Sequence, residues 1–95
     1  MAERLTDEQI EQGLSGSVWT REGDAIVRDF KLSDFAAAMA FGNAVAGLAE
    51  AANHHPDILI HGWNRVRLEL TTHSADGLTQ NDLDLARGVD GLSGG

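Results

Sequence analysis

The chain of 95 residues has no cysteine and no tyrosine, one proline, Pro56, and one lysine, Lys31. Without cysteine there can be no disulfide, no thiolate-bound zinc and no cysteine nucleophile. That composition fits a reducing compartment, and the expected location is cytoplasmic. Basic residues are scarce: 7 Lys plus Arg stand against 15 Asp plus Glu, for a net charge of −8. An acidic domain repels phosphate backbones and anionic headgroups, so direct nucleic-acid and membrane binding are not expected. No apolar run approaches the ~18 residues of a membrane span. The start, MAERLTDEQ, is charged and lacks the apolar core of a signal peptide. What remains is 42% hydrophobic residues, enough for a modest core in one small domain.

Capping chemistry marks two helices. Thr6 with Gln9 reads as a capping box, flanked by Leu5 and Ile10 as a hydrophobic staple; this helix should end near Gly13 to Gly16. The same grammar recurs at Leu78-Thr79-Gln80-Asn81-Asp82-Leu83, with Asp82 in the box position, so the last helix starts near Thr79. It should fade by Gly88, leaving 88–95 as a tail of the single domain 1–95. Between these helices, Val18 to Arg21 and Ala25 to Leu32 flank the turn Glu22-Gly23-Asp24, a predicted hairpin. Ile26, Phe30 and Leu32 share a face with Arg28, which breaks the alternation. Ser33 is the expected cap of a long helix to about Asn53, with an apolar stripe of Phe35, Met39, Val45, Leu48 and Ala52. Gly42 and Gly47 lower helix propensity, and their smallness suits close approach by another element. Pro56 stops that helix. Asp57 to Gly62 and Arg65 to Thr72 then form a second hairpin around Trp63 and Asn64. The order α-β-β-α-β-β-α predicts an α+β fold, a four-stranded antiparallel sheet with helices packed on one face.

The chemistry concentrates between positions 50 and 82. Glu50, His54, His55, Pro56, Trp63, His73 and Asp82 bring together three of the four histidines, the only proline and two carboxylates. Histidine is the side chain whose ordinary pKa lies near neutrality, so this grouping points to proton transfer or metal binding. His54 and His55 sit at a helix end, where the dipole favours imidazolium. Glu50 lies four residues before His54, placed to orient that ring. His73 ends the last strand and Asp82 begins the last helix, so helix end, strand end and helix start should converge on one cleft, with Trp63 as an aromatic wall. Each residue also has a plainer role: Asp82 as a cap, Glu50 as a solvated helix residue, Trp63 as a turn residue over the core. His61 and Asp57 read as strand and loop residues. Three histidines and a carboxylate could ligate zinc or iron, but an adjacent His-His pair lacks the His-x-x-x-His spacing that puts both rings on one helical face. Ser74 beside His73 lies in no nucleophile elbow, and there is no glycine-rich phosphate loop.

On these residues the sequence resembles the pterin-4a-carbinolamine dehydratase family. The pattern is carried by Glu50, His54-His55-Pro56, Trp63, His73 and Asp82, with supporting matches at Leu5-Thr6, Trp19, Leu70-Thr71-Thr72-His73 and Gly77-Leu78-Thr79. The resemblance covers nearly the whole chain and implies the same α-β-β-α-β-β-α fold. It implies a hydro-lyase that eliminates water from 4a-hydroxytetrahydrobiopterin, or a related 4a-hydroxytetrahydropterin, giving quinonoid dihydropterin in pterin recycling. No cofactor and no metal are implied. His54 and His73 would be the acid/base groups, His55 would bind substrate near its hydroxyl, Asp82 would support His73 or the pocket, and Trp63 would pack near the ring. Homodimers or homotetramers are implied as well. Animal members carry arginine where this chain has Asn81, so any contact made by that arginine does not transfer. Two other readings compete: a non-catalytic protein-binding or dimerisation module, since animal members also partner a homeodomain transcription factor, and a His-ligated metal site.

Overall fold

The computed structural model describes residues 3–92. Helices α1 (Asp7–Gly13), α2 (Phe35–Ala52) and α3 (Gln80–Leu92) pack with strands β1 (Thr20–Glu22), β2 (Ala25–Lys31), β3 (Asp57–His61) and β4 (Arg65–Leu70). The strands form one antiparallel sheet in the order β1-β2-β4-β3. The α+β architecture and its element order are as the sequence implies. Register follows the alternation: Ile26 sits opposite Leu70, Arg28 opposite Leu68 and Phe30 opposite Val66. These apolar partners are buried on the helix-covered face. Arg28 belongs to that face because it has partners there. Its guanidinium pairs with Asp90 on α3 and lies 4.3 Å from the Phe30 ring centroid. Asp90 also accepts from Trp19 Nε1 at 2.8 Å, which ties the segment before β1 to the last helix.

Several boundaries differ from expectation, each for a local reason. The α2 cap is Asp34, whose carboxylate accepts from Ala37 N at 2.7 Å, rather than Ser33. The helix ends at Ala52 because Asn53 turns left-handed, with φ 50°. His54 N then donates to Ala49 O at 3.0 Å and Asn53 N to Glu50 O at 3.2 Å, a Schellman-type closure. Pro56 therefore stands beyond the true stop. The first strand begins at Thr20, not Val18. The tail expected from Gly88 is helical as far as Leu92, since Val89 is fully buried and Asp90 is anchored by Arg28 and Trp19. Residues 93–95 of that tail lie outside the described residues.

The buried stripe of α2 is also different. Ala38, Gly42, Val45 and Ala49 face the sheet, while Phe35 and Met39 are exposed. Small residues let the helix sit close to β3: a Cβ on Gly42 would stand 3.3 Å from Ile60 Cδ1. At Gly47 there is no neighbour within 4 Å. By length and composition α2 could cross a bilayer, with 18 residues at a mean hydropathy of 1.3, contrary to the expectation that no such run exists. In the fold it is the helix between the two hairpins, lying on their sheet.

The two Leu-Thr segments that share capping grammar lie side by side. Leu5 N donates to Leu78 O at 2.8 Å, and Arg4 bridges to Thr79 in antiparallel fashion. In α1 the capping box is complete, with Thr6 Oγ1 accepting from Gln9 N at 3.1 Å and Gln9 Oε1 accepting from Thr6 N at 2.8 Å. At the start of α3 only half of it forms. Thr79 N donates to Asp82 Oδ2 at 2.9 Å, but the Thr79 hydroxyl turns to Thr72.

Candidate active site

The Asn53 turn sends two adjacent histidines into different surroundings. The His54 side chain points inward and is only 12% exposed; its Nε2 lies 2.5 Å from Asp82 Oδ1. Asp82 is completely buried. Its second oxygen, Oδ2, accepts from Thr72 Oγ1 at 2.8 Å and from Thr79 N at 2.9 Å. An ionised carboxylate can only accept, so wherever Asp82 carries its charge the His54 nitrogen facing it must carry a hydrogen. Nδ1 is then the ring nitrogen left to exchange a proton.

His55 takes the opposite course. Its Nε2 pairs with Glu50, and the two side chains are 59% and 75% exposed. The expected pairing of Glu50 with His54 is thus corrected. That expectation assumed a helix running on through His54, whereas the chain has already left the helix at Asn53. Of the two roles expected for Asp82, support of His73 or of the pocket, the structure gives no contact with His73; the carboxylate holds His54, which lines a hollow.

His73 opens a short 3-10 turn, His73–Ala75, directly after the buried Thr72. It lines a hollow of about 270 Å³ with Asp24, Ala25, Thr71, Asp76 and Gly77. His54 lines another, about 350 Å³, between the C-terminal half of α2 and the first turns of α3, with Leu48, Ala52, Asn81, Asp84 and Leu85. The two histidines therefore line separate hollows rather than the single cleft expected, and what links them is the interior path through Asp82 and Thr72. Asn81, where animal relatives have arginine, stands at the rim of the His54 hollow.

Trp63 does not wall this region. It lies in the β3–β4 turn, 63% exposed and left-handed at φ 58°. His54 to Pro56 precede β3 and His73 follows β4, so Trp63 is at the other end of the hairpin, roughly 16 Å away along five residues of strand. Pro56 leads into β3 and is partly buried. Thr79 was expected as a helix start with Asp82 in its box position, and Thr72 only as part of a supporting match; Thr72 was not expected to hold Asp82, although a signal existed. The inward alternation Val66, Leu68, Leu70 continues to position 72, where a buried threonine needs a polar partner. Among the described residues, no group of three or more His, Asp or Glu side chains is disposed to hold a metal ion. The adjacent histidines point apart, which leaves the metal reading without a ligand set there.

The chain is thus a two-layer α+β domain with a buried carboxylate-histidine couple where a helix end meets a helix start. Residues 3–92 match the model of the family described as pterin 4 alpha carbinolamine dehydratase, and the chain belongs to that family. A relative from Roseiflexus sp. (strain RS-1) is 54% identical over 91 residues, covering 95% of this chain and 97% of its own. One from Natronomonas pharaonis is 46% identical over 93 residues, covering 98% and 99%. Both bear the name "Putative pterin-4-alpha-carbinolamine dehydratase". The crystal structure of a transcriptional coactivator/pterin dehydratase from Brucella melitensis superposes with a TM-score of 0.87 at 34% identity, covering 95% of this chain and 98% of that one. A pterin dehydratase-like protein described as a RuBisCO assembly factor in the alpha-carboxysome superposes at 0.65, with 26% identity and coverage of 80% and 87%.

Proposed function

We propose that the chain is a hydro-lyase acting on a 4a-hydroxytetrahydropterin, 4a-hydroxytetrahydrobiopterin or a close relative, and that it works by histidine acid/base catalysis in pterin recycling. The observation that carries this reading is the buried couple of His54 with Asp82 in a chain of the pterin dehydratase family. In the reaction a base takes a proton from a ring nitrogen, the C4a–O bond breaks, and the departing hydroxyl takes up a proton and leaves as water. The product is the quinonoid dihydropterin. His54 and His73 are the proposed acid/base pair, worth about 10²–10⁴-fold each. Asp82 keeps the His54 hydrogen on Nε2 and stabilises the imidazolium formed when Nδ1 takes a proton. His55, exposed and braced by Glu50, is the proposed substrate contact near the hydroxyl. The test is the decay of the ultraviolet signal of chemically generated 4a-hydroxypterin. Wild type should accelerate it well beyond buffer, and His54→Ala should lose that acceleration. Equal rates for wild type, His54→Ala and buffer defeat the reading.

A second reading, a protein-binding or self-associating module, is favoured by the exposed apolar side chains Phe35 and Met39 on α2 and Leu59 on β3, and by the coactivator and assembly-factor names of the structural relatives. A pull-down that retains a specific partner with His54→Ala/His73→Ala would support it; clear turnover with no partner would remove it as the main role.

A further inference from the structure

We propose that Thr72 is a positioning residue that holds His54 and His73 in one fixed relation, an inference that rests on the dehydratase reading of the site. Thr72 is buried at the end of the β4 extension and uses every polar atom it has. Its hydroxyl meets Asp82 Oδ2 at 2.8 Å and Thr79 Oγ1 at 2.8 Å. A hydroxyl carries one hydrogen, and an ionised carboxylate can only accept. The Thr72 hydrogen is therefore committed to Asp82, and the Thr79 hydroxyl must donate to Thr72. The direction of every hydrogen bond from Thr79 through Thr72 to Asp82 is set, and His54 closes the chain from the other side.

The same residue anchors His73 through its backbone. Thr72 N donates to Gly77 O at 3.1 Å and Thr72 O accepts from Gly77 N at 3.4 Å, closing the loop that contains His73. Thr72 O also accepts from Ala75 N at 3.0 Å, forming the short turn that His73 opens. One residue thus ties the partner of His54 by its side chain and the turn of His73 by its main chain. His54 and His73 are separated by a whole hairpin in sequence, and Asp82 and Thr72 join them by two hydrogen bonds and one peptide link.

The test uses Thr72→Val, which keeps the shape and removes the hydroxyl, beside Thr72→Ser, which keeps the hydroxyl. With Thr72→Val, kcat per folded molecule should fall about tenfold, the loss that one hydrogen bond to a buried charged group represents, while KM stays within about twofold. Thr72→Ser should recover most of it. In an Asp82→Asn background, Thr72→Val should add little further loss, because Thr72 acts through Asp82. Ring ¹⁵N shifts of His54 give a readout independent of any substrate: the Nε2–H tautomer should lose its dominance in Thr72→Val and keep it in Thr72→Ser. A wild-type kcat and unchanged His54 ring shifts in a folded Thr72→Val protein overturn the proposal, as does full additivity with Asp82→Asn. If the wild type fails to turn over any 4a-hydroxypterin, the dehydratase reading falls, and the His54 ring shifts alone decide the positioning role.

Discussion

His54 and His55 are neighbours in sequence and opposites in surroundings. The first is nearly buried against a fully buried aspartate that two other groups hold in place; the second shares solvent with an exposed glutamate. Each has a carboxylate at hydrogen-bonding distance, yet the two pairs differ in what they can do. A fully buried carboxylate fixed by Thr72 and Thr79 N cannot turn away, so it holds the Nε2 edge of the His54 ring in one place. An exposed Glu–His pair breaks and re-forms in water and holds its ring weakly. The lesson is that a carboxylate's grip on a histidine is set by the carboxylate's own other partners.

The sharpest way to break the comparison is to blunt each carboxylate in turn. Asp82→Asn should lower turnover of 4a-hydroxypterin by about 10²-fold or more, since an amide cannot stabilise imidazolium and one of its ends would present hydrogens to existing donors. Glu50→Gln should cost no more than about threefold, seen mainly in KM. Equal losses in the two variants would show that burial of the pair is irrelevant. Stability should divide the same way. Asp82→Asn leaves buried donors imperfectly matched and should cost about 2–3 kcal/mol, a loss of the order of 10 °C in melting temperature for a domain of this size. Glu50→Gln should fall within about 0.5 kcal/mol of wild type.

Next in size is an effect of salt. At 1 M ionic strength the screening length shrinks to about 3 Å. The His55–Glu50 contact should loosen, while the His54–Asp82 couple, out of reach of ions, should not. Ring ¹⁵N shifts of the two histidines followed between 0.05 and 1 M salt should move for His55 and stay for His54. Movement at both would mean that the interior of the site is wet.

The same contrast explains what could be read from the sequence. The order of elements was legible because it is local: capping at Thr6, alternation through Val66, Leu68 and Leu70, and glycine and asparagine at turns. The His54–Asp82 contact joins two members of the group the sequence marked by its chemically rare residue types, while Trp63 of that group stands apart. The pairings were not legible, since each depends on where a helix ends to within one residue. The helix end was expected near Asn53 and lies there, but pairing Glu50 with His54 extended the helical face past it; the left-handed turn at Asn53 sends His54 inward to Asp82. The α2 stripe held at Val45 and Leu48 but failed at Phe35, Met39 and Ala52, for a related reason. Large apolar side chains suggested the buried face, but close approach to β3 selects the small ones, Ala38, Gly42 and Ala49.

Trp63 offers the smallest predicted effect and the cleanest control. It is a large aromatic residue in the sequence pattern, yet it projects from the turn at the far end of the hairpin. Its left-handed backbone is one that a bulky side chain adopts only at a cost, about 1 kcal/mol against glycine. What holds it there is its neighbour Asn64, buried and fastened to Leu32 O by its side chain at 3.0 Å, with Leu32 N donating to Asn64 O at 2.8 Å. Trp63→Gly should therefore leave turnover within about twofold of wild type and should not lower the melting temperature, because relief of backbone strain offsets the loss of side-chain contacts. A large fall in kcat would mean that the tryptophan reaches a site after all, which in this topology would have to be completed by a second copy of the chain, and that outcome would shift weight from the single His54 couple to an assembled one.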